Sequence, residues 1–177
     1  MLKQTLDMKN SVLLFILIAG SLSSYGQDSA KLKRIPYKLT IIVDKETVYE
    51  EDLKANLYVL PNNTVQLYPG ETIYIEVEQE KGIIKSMNAV KENINPIKTL
   101  IITFSQTVKK DVHELMMLKV TNPFSQNLIY KARMYTLNQK KWVDTDVYPV
   151  GAGLSAIEIW PDIITSIALA QWKFQNK

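Results

Sequence analysis

The side chains that could perform catalysis are few in this 177-residue chain, which has one histidine and no cysteine. The histidine, His113, lies in a polar stretch that leads into an apolar segment. To act as a general base it would need a nucleophile and an orienting carboxylate, and no local spacing supplies them. The lack of cysteine excludes thiol nucleophiles and thiolate metal sites. We therefore predict that His113 is a surface residue and that the chain is not an enzyme.

Two carboxylates, Asp144 and Asp146, are the best candidates for metal ligands. On a strand they would share one face about 6.5–7 Å apart, and Glu158 or Asp162 could add further oxygen ligands for calcium. The glycine-bearing loop of calcium motifs is absent, which favours a solvated strand face instead. Paired carboxylates for glycoside hydrolysis would need a cleft and an environment that raises the pKa of one of the two groups. The sequence indicates neither. We expect no metal and no cofactor, and an envelope hydrolase is the weakest functional hypothesis.

Aromatic side chains concentrate towards the C-terminal end. The three tryptophans, Trp142, Trp160 and Trp172, all follow residue 141. Tyr148 opens a loop, residues 148–153, whose two glycines allow unusual backbone angles. Exposed tryptophan and tyrosine rings anchor protein partners or stack on sugars, although the same rings can instead fill a core. We predict Trp160, Tyr148 and Trp142 as ligand-binding residues.

Trp160 is expected to be the tryptophan nearest to the surface. Ile157 and Ile159 flank Glu158, and this alternation predicts that the two isoleucines face the core. Trp160 is out of phase with them and is followed by Pro161, which would end the strand. Its ring should therefore lie on the opposite, solvent-facing side.

Apolar residues at every second position predict strands through most of the chain. Residues 72–78 give the clearest case, since Ile73, Ile75 and Val77 would share the inner face. Residues 163–174 are long enough for a helix, but their β-branched side chains favour a strand. Residues 50–54 are expected to form one helical turn. The remaining alternating segments are residues 39–43, 100–104, 116–120, 128–134 and 157–159.

Turn signals separate these segments. Pro69-Gly70 occupies the centre of a predicted type II turn, because proline fixes the first φ and glycine accepts the positive second φ. Asn138-Gln139 is predicted to close a hairpin between Tyr135 and Trp142. Asn122-Pro123 should end another strand.

Eight or nine short strands without a long helix predict an all-β fold, a two-sheet sandwich over residues 36–177 with a small β-barrel as the alternative. Turn and strand follow each other in Pro69-Gly70-Glu71 before Ile73-Tyr74-Ile75, and again in Leu118-Lys119-Val120-Thr121-Asn122 before Leu128-Ile129-Tyr130. This pattern resembles the immunoglobulin-like domains of secreted bacterial proteins. The resemblance implies an immunoglobulin-like sandwich, without the disulfide that joins the sheets of antibody domains.

The N-terminal region has the features of a secretory signal peptide. Lys9 precedes the apolar residues 11–19, and the small residues Ser24 and Gly26 follow. The apolar block is shorter than the ~18–20 residues that cross a bilayer, so we expect no permanent membrane anchor. We predict a signal peptide over residues 1–26, translation starting at Met8, and a product in the periplasm or outside the cell.

Residues 27–35 are expected to form a flexible segment between the signal peptide and the sandwich. Its basic residues, Lys31, Lys33 and Arg34, should be solvated. The formal net charge of the chain is only +3 at pH 7, and it gives no basic patch of the kind that binds nucleic acid. We therefore expect no nucleic-acid partner.

These observations predict a non-catalytic exported β-sandwich module for protein–protein interaction in the cell envelope. Its partner would be an envelope or extracellular protein, bound at a loop or by strand pairing at a sheet edge. The alternative is a carbohydrate-binding module in which the C-terminal aromatic rings stack on a glycan.

Overall fold

A computed structural model describes residues 31–175 of the chain. The predicted signal peptide, the start at Met8 and residues 27–30 lie outside the described residues. Within them the chain is all-β, with twelve strands and one short 3₁₀ turn, Pro61–Asn63. No helix between residues 31 and 175 is long and apolar enough to cross a membrane.

The strands follow one another with short connections. They are β1 (Tyr37–Ile42), β2 (Val48–Leu53), β3 (Val59–Leu60), β4 (Thr64–Leu67), β5 (Glu71–Glu80), β6 (Ile83–Val90), β7 (Thr99–Lys109), β8 (Val112–Thr121), β9 (Asn127–Thr136), β10 (Lys141–Thr145), β11 (Ser155–Trp160) and β12 (Ile164–Gln175).

Two five-stranded antiparallel sheets carry most of these strands. Sheet I has the order β11-β8-β7-β5-β6, and sheet II has the order β10-β9-β12-β4-β3. The hairpin β1-β2 forms a separate two-stranded sheet. In the described part of the chain no sheet closes on itself, so the predicted β-sandwich is confirmed and the barrel alternative is wrong. The immunoglobulin-like topology stays a prediction.

Alternating side chains from both sheets form the core, as the sequence predicts. In β5 the side chains of Ile73, Ile75 and Val77 are buried while Glu78 is exposed. β12 is a strand over its whole length, and its irregular pairing with β9 beyond Ala170 accompanies a positive φ at Gln171. The strand predicted over residues 163–174 is therefore confirmed.

The turn chemistry is also confirmed at two places. Gly70 has a φ of 94°, and the amide of Glu71 donates to the carbonyl of Tyr68 at 3.2 Å, which closes the predicted turn. β9 and β10 form the predicted hairpin, in which Trp142 lies opposite Tyr135.

The predicted helical turn at residues 50–54 is wrong. Residues 50–53 belong to β2, which pairs with β1 along its length and buries Leu53 in the core. The polar residues of β2 lie on its solvent-facing side. Pairing with β1 gives hydrogen-bond partners to more of its backbone amides and carbonyls than one isolated helical turn would.

The expectation of a solvated basic cluster is wrong for Arg34. Its side chain is only 2% exposed and donates to the carboxylate of Glu71 and to the carbonyl of Gln66. Its backbone amide donates to the carbonyl of Asn56 at 2.7 Å, and Lys33 forms an isolated bridge with Leu57. Hydrogen bonds to Gln66 and Glu71, which are distant in the sequence, compensate the cost of removing this guanidinium from water.

A side-chain amide joins the β1-β2 hairpin to sheet I. Gln106 in β7 accepts from the backbone amide of Ile42 at 3.1 Å and donates to its carbonyl at 2.6 Å. The amide of His113 adds a bond to the carbonyl of Val43 at 3.2 Å. These bonds hold the end of β1 against the turn between β7 and β8.

Candidate functional site

The strand β11 lies at one edge of sheet I and ends next to the loop that carries Tyr148. It pairs with β8 on one side. Within residues 31–175 no strand pairs with its other side, which we call the β11 edge. An edge strand of this kind leaves every second backbone amide and carbonyl free to bind another strand.

The pairing pattern shows which residues face the β11 edge. The amide of Asn122 donates to the carbonyl of Leu154 at 2.9 Å, so these two residues form a hydrogen-bonded pair at the start of the ladder. Hydrogen-bonded and non-hydrogen-bonded pairs alternate in antiparallel sheets. The backbone groups of the next even-numbered residues therefore point towards β8. Those of Ser155, Ile157 and Ile159 point towards the free edge.

The side chains of Ile157 and Ile159 are 57% and 60% exposed, which reverses the prediction that they face the core. The register with β8 explains the reversal, because Ile157 lies opposite Lys119 on the outer face of sheet I. Glu158 lies opposite Leu118, which is fully buried. The even-numbered residues of β11 therefore face inward.

Trp160 lies on the inner side of β11, against the expectation that it is the tryptophan facing solvent. Its ring is half-buried and packs against the core, and its indole N–H donates to the hydroxyl of Thr145 at 3.1 Å. Trp172 is buried and stacks on Tyr130 with ring centroids 4.7 Å apart. A role for Trp160 in ligand binding stays a prediction, and its ring offers only part of its surface.

Tyr148 is exposed, as expected of a binding residue, and the loop that carries it is firmly held. Its side chain is 78% exposed, while Val150 in the same loop is fully buried and exchanges backbone hydrogen bonds with Leu128. The Asn122 amide donates to the carbonyls of Val150 and Gly151, both at 3.1 Å. Few backbone torsions are left free in this loop, which suits a preorganised contact.

Glu158 connects this loop to β11. Its carboxylate accepts a hydrogen bond from the backbone amide of Tyr148 at 2.7 Å. Burial raises the pKa of Tyr130, and the negative charge of Glu158 raises it further. Glu158 therefore anchors the loop to β11.

Four apolar side chains on β11 and in the segment before it are exposed, and we call them the β11 patch. The patch consists of Tyr148, Leu154, Ile157 and Ile159. Leu154 is 62% exposed and touches the backbone at Gly151, where an added Cβ would come within 2.9 Å of its Cδ1 atom. Ile157 and Ile159 are neighbours on one face of the strand, and contiguous exposed apolar surface marks interaction sites, whereas single exposed apolar side chains are common on any protein.

The other three edges of the two five-stranded sheets are better protected against pairing. β6 carries Lys85, in an ion pair with Glu80, and its partner strand is irregular after Glu78. β10 carries the ion pair between Asp144 and Arg133, and β3 has only two residues. Charges, bulges and short length are the usual means of blocking edge pairing. β11 has none of them on its exposed side.

Trp142, the third predicted binding residue, lies in different surroundings. Its ring meets Tyr135 edge to face with centroids 5.6 Å apart. With Lys131, Arg133 and Ala168 it lines a groove of about 530 Å³ on the outer side of sheet II. The sequence grouped Trp142 with Tyr148 and Trp160, whereas the fold gives each ring its own environment.

Of the four carboxylates considered for calcium, Asp144 and Glu158 bind other groups, and Asp146 is exposed. Asp144 pairs with the guanidinium of Arg133 at 2.9 Å, and Asp162 is exposed. Among residues 31–175, no group of three or more histidine, aspartate or glutamate side chains is placed to hold a metal ion.

Both ring nitrogens of His113 take part in structural hydrogen bonds. The amide nitrogen of Gln106 lies 3.0 Å from Nδ1, and because this nitrogen can only donate, Nδ1 accepts. Nε2 then carries the hydrogen and donates to the carbonyl of Pro161 at 3.0 Å. His113 joins the β7-β8 turn to the end of β11, and this arrangement leaves neither nitrogen free to act as a base.

Sequence reasoning found the region of Tyr148 and Trp160 but missed the exposed isoleucines. The alternation in Ser155 to Trp160 separates the two isoleucines from Glu158 and Trp160, but it does not show which set faces the core. A comparison with protein-family models matches no family, and searches among curated proteins and among solved structures find no significant similarity.

Proposed function

We propose that this chain is a non-catalytic module, exported to the periplasm or the cell exterior, that binds another protein by strand pairing at the β11 edge. The observation that carries the proposal is the free edge of β11 with Ile157 and Ile159 exposed on it. In strand addition, main-chain hydrogen bonds supply affinity and alternate side chains supply specificity. The β11 edge offers both elements.

The partner strand should carry apolar side chains at alternate positions on its outer face. They would lie beside Ile157 and Ile159, since directly opposed and diagonal side chains touch across strands. Tyr148 and Leu154 would extend the contact beyond the end of the strand. The features of residues 1–26 support the exported location of this interaction.

The test is a crosslinked capture from the envelope fraction with three tagged forms of the protein. They are the natural chain, Ile159→Lys at the β11 edge, and Ile83→Lys at the edge of β6. Ile83 is 61% exposed, so its substitution adds the same charge to a comparable position. We expect the natural chain and Ile83→Lys to capture the same protein, and Ile159→Lys to lose it while keeping its melting temperature.

Capture of the same protein by all three forms would overturn the proposal, because the β11 edge would then have no part in binding. Loss of capture by both lysine variants would also overturn it, since a general effect of charge would explain the result.

A carbohydrate-binding role is the second candidate, and the groove beside Trp142 favours it. An indole ring next to charged side chains, here Lys131, Arg133 and Asp144, is an arrangement that can stack on a sugar and bind its hydroxyls. Trp142→Ala should abolish retention on immobilised envelope glycans, while the melting temperature falls only by the loss of the contact with Tyr135. Unchanged retention would remove this candidate.

A further inference from the structure

We infer that the strand that fits the β11 edge is β11 of a second copy of this chain. Two copies would pair antiparallel about a two-fold axis at Ile157, and their sheets would join into one continuous sheet. This inference deepens the proposed function, because it names the partner strand, and it rests on the same edge. Any other envelope protein that uses the edge would compete with the second copy.

The backbone pattern of β11 allows this symmetric pairing. With the axis at Ile157, this residue lies opposite Ile157 of the second copy, and Ser155 lies opposite Ile159 of the second copy. All these residues direct their amides and carbonyls towards the free edge, so each opposed pair can form both of its hydrogen bonds.

The apolar side chains also match in this register. Residues directly opposite each other share one face of a sheet, so Ile157 and Ile159 of both copies lie together on the outer face. In the single copy these side chains are more than half exposed. Pairing removes apolar surface from water at the same place where hydrogen bonds form.

The two registers whose axes lie further along β11 are less favourable for reasons that lie in its sequence. With the axis at Glu158, the two Glu158 carboxylates would be directly opposed, and like charges in that position are destabilising. With the axis at Ile159, Ile157 would face Pro161, which has no amide hydrogen to donate. With the axis at Ile157, Glu158 faces the small side chain of Ala156, which carries no charge.

The first test is the molar mass of the secreted protein by sedimentation equilibrium over a range of concentrations. We expect a concentration-dependent rise to twice the mass of one chain. Ile157→Lys and Ile157→Glu should each stay monomeric, since each places like charges on the axis. An equal mixture of these two variants should regain the dimer, because lysine then faces glutamate. Ile83→Lys is the matched control and should dimerise like the natural chain.

The second test reads the register directly, since the natural chain has no cysteine. Ile157→Cys should give a covalent dimer under oxidation, because the two Cα atoms of an opposed hydrogen-bonded pair are about 5.5 Å apart. Ile159→Cys should stay monomeric, since its two copies would be about 13 Å apart along the strands. A mixture of Ser155→Cys and Ile159→Cys chains should crosslink.

These outcomes separate the inference from the proposed function. A natural chain that stays monomeric at every concentration, or a lysine and glutamate mixture that does not dimerise, overturns the inference. Edge-dependent capture of another protein would then still support the proposed function. A dimer with the expected crosslinks, together with no edge-dependent capture, would support the inference and reject binding of a different protein.

Discussion

The guanidinium of Arg34 and the carboxylate of Glu71 form a two-point ion pair inside the protein, although 37 positions separate them in the chain. Nη2 and Oε2 are 3.0 Å apart, and the guanidinium lies 4.7 Å from the ring centre of Tyr58 and 4.6 Å from that of Tyr68. The amide of Tyr68 also donates to the Glu71 carboxylate at 2.9 Å. This cluster attaches the segment before β1 to the turn between β4 and β5.

Removing one member of this pair should be costly, because the other charge stays buried without its partner. We expect Arg34→Met to lower the free energy of unfolding by about 3–5 kcal/mol. The double variant Arg34→Met/Glu71→Leu should recover most of that loss, since two apolar side chains replace two charges. Urea denaturation measures both effects. Lys38→Ala, which breaks an exposed ion pair with Glu50, serves as the control and should cost less than about 1 kcal/mol.

Asn122 should prove essential for the loop that carries Tyr148. Its buried amide nitrogen donates to carbonyls of the loop, and a carboxylate in its place would oppose those oxygens. We expect Asn122→Asp to cost about 3 kcal/mol in urea denaturation and to accelerate amide exchange in residues 148–153. Asn127→Asp is the control, because among residues 31–175 the Asn127 side chain bonds through its oxygen, as acceptor from the amide of Ala152. Equal losses in both variants would contradict this role of the Asn122 nitrogen.

The buried hydroxyl of Tyr130 has no hydrogen-bond partner among the described residues. Tyr130→Phe keeps the stack on Trp172 and removes this unsatisfied group, so it should raise stability by about 1 kcal/mol. Ser166→Ala is the matched control, since the Ser166 hydroxyl is buried but bonded to the carbonyl of Leu67. It should lower stability by a similar amount. Thermal unfolding of the two variants should shift the midpoint in opposite directions.

Stability should decline at alkaline pH because of two tyrosines, Tyr49, which is partly buried, and Tyr130, which is buried. Burial, with the bonded Glu51 carboxylate, raises the pKa of Tyr49 to about 12, and burial also raises the pKa of Tyr130. The folded state therefore holds these protons more tightly than the unfolded state, whose tyrosine pKa is about 10. The stabilisation is complete below pH ~10 and is lost as pH rises through the folded pKa, by up to about 1.4 kcal/mol per unit for Tyr130. Urea midpoints measured against pH should fall less steeply for Tyr130→Phe than for the natural chain.

A substitution in the turn between β7 and β8 should increase the stability of the protein. Lys110 and Asp111 both have positive φ, 52° and 62°, which a two-residue hairpin turn of this kind requires and which glycine adopts without strain. Asp111→Gly should raise the free energy of unfolding by about 0.5–1 kcal/mol. Gly70→Ala tests the reverse case, because its φ is 94° and no atom lies within 4 Å of the added Cβ. A gain from Gly70→Ala would contradict the argument from φ.

Local patterns were enough to predict much of the fold. The alternation in β5 and the β-branched content of β12 predicted strands, and Pro69-Gly70 predicted its turn, because each depends on residues close together in sequence. β2 was missed because its polar residues form a strand only through pairing with β1. The burial of Arg34 was missed for the same reason, since its partner Glu71 is distant in the chain.

The candidate site shows the limit of period-two reasoning more sharply. Alternation in β11 separates Ile157 and Ile159 from Trp160, and this separation was predicted. Which set faces the core depends on the register with β8, where Leu118 lies opposite Glu158. No residue within β11 carries that information, so the two faces were assigned the wrong way round. The exposure of the Tyr148 side chain could be expected, because Tyr148 lies in a loop and loops run over the protein surface.

The position of β12 in sheet II has a consequence for how the protein folds. β12 is the last of the twelve described strands along the chain, yet it lies between β9 and β4 and pairs with both. A chain without it has no strand to join these two. Sheet II therefore closes from the inside, and truncation before Ile164 would divide it into fragments.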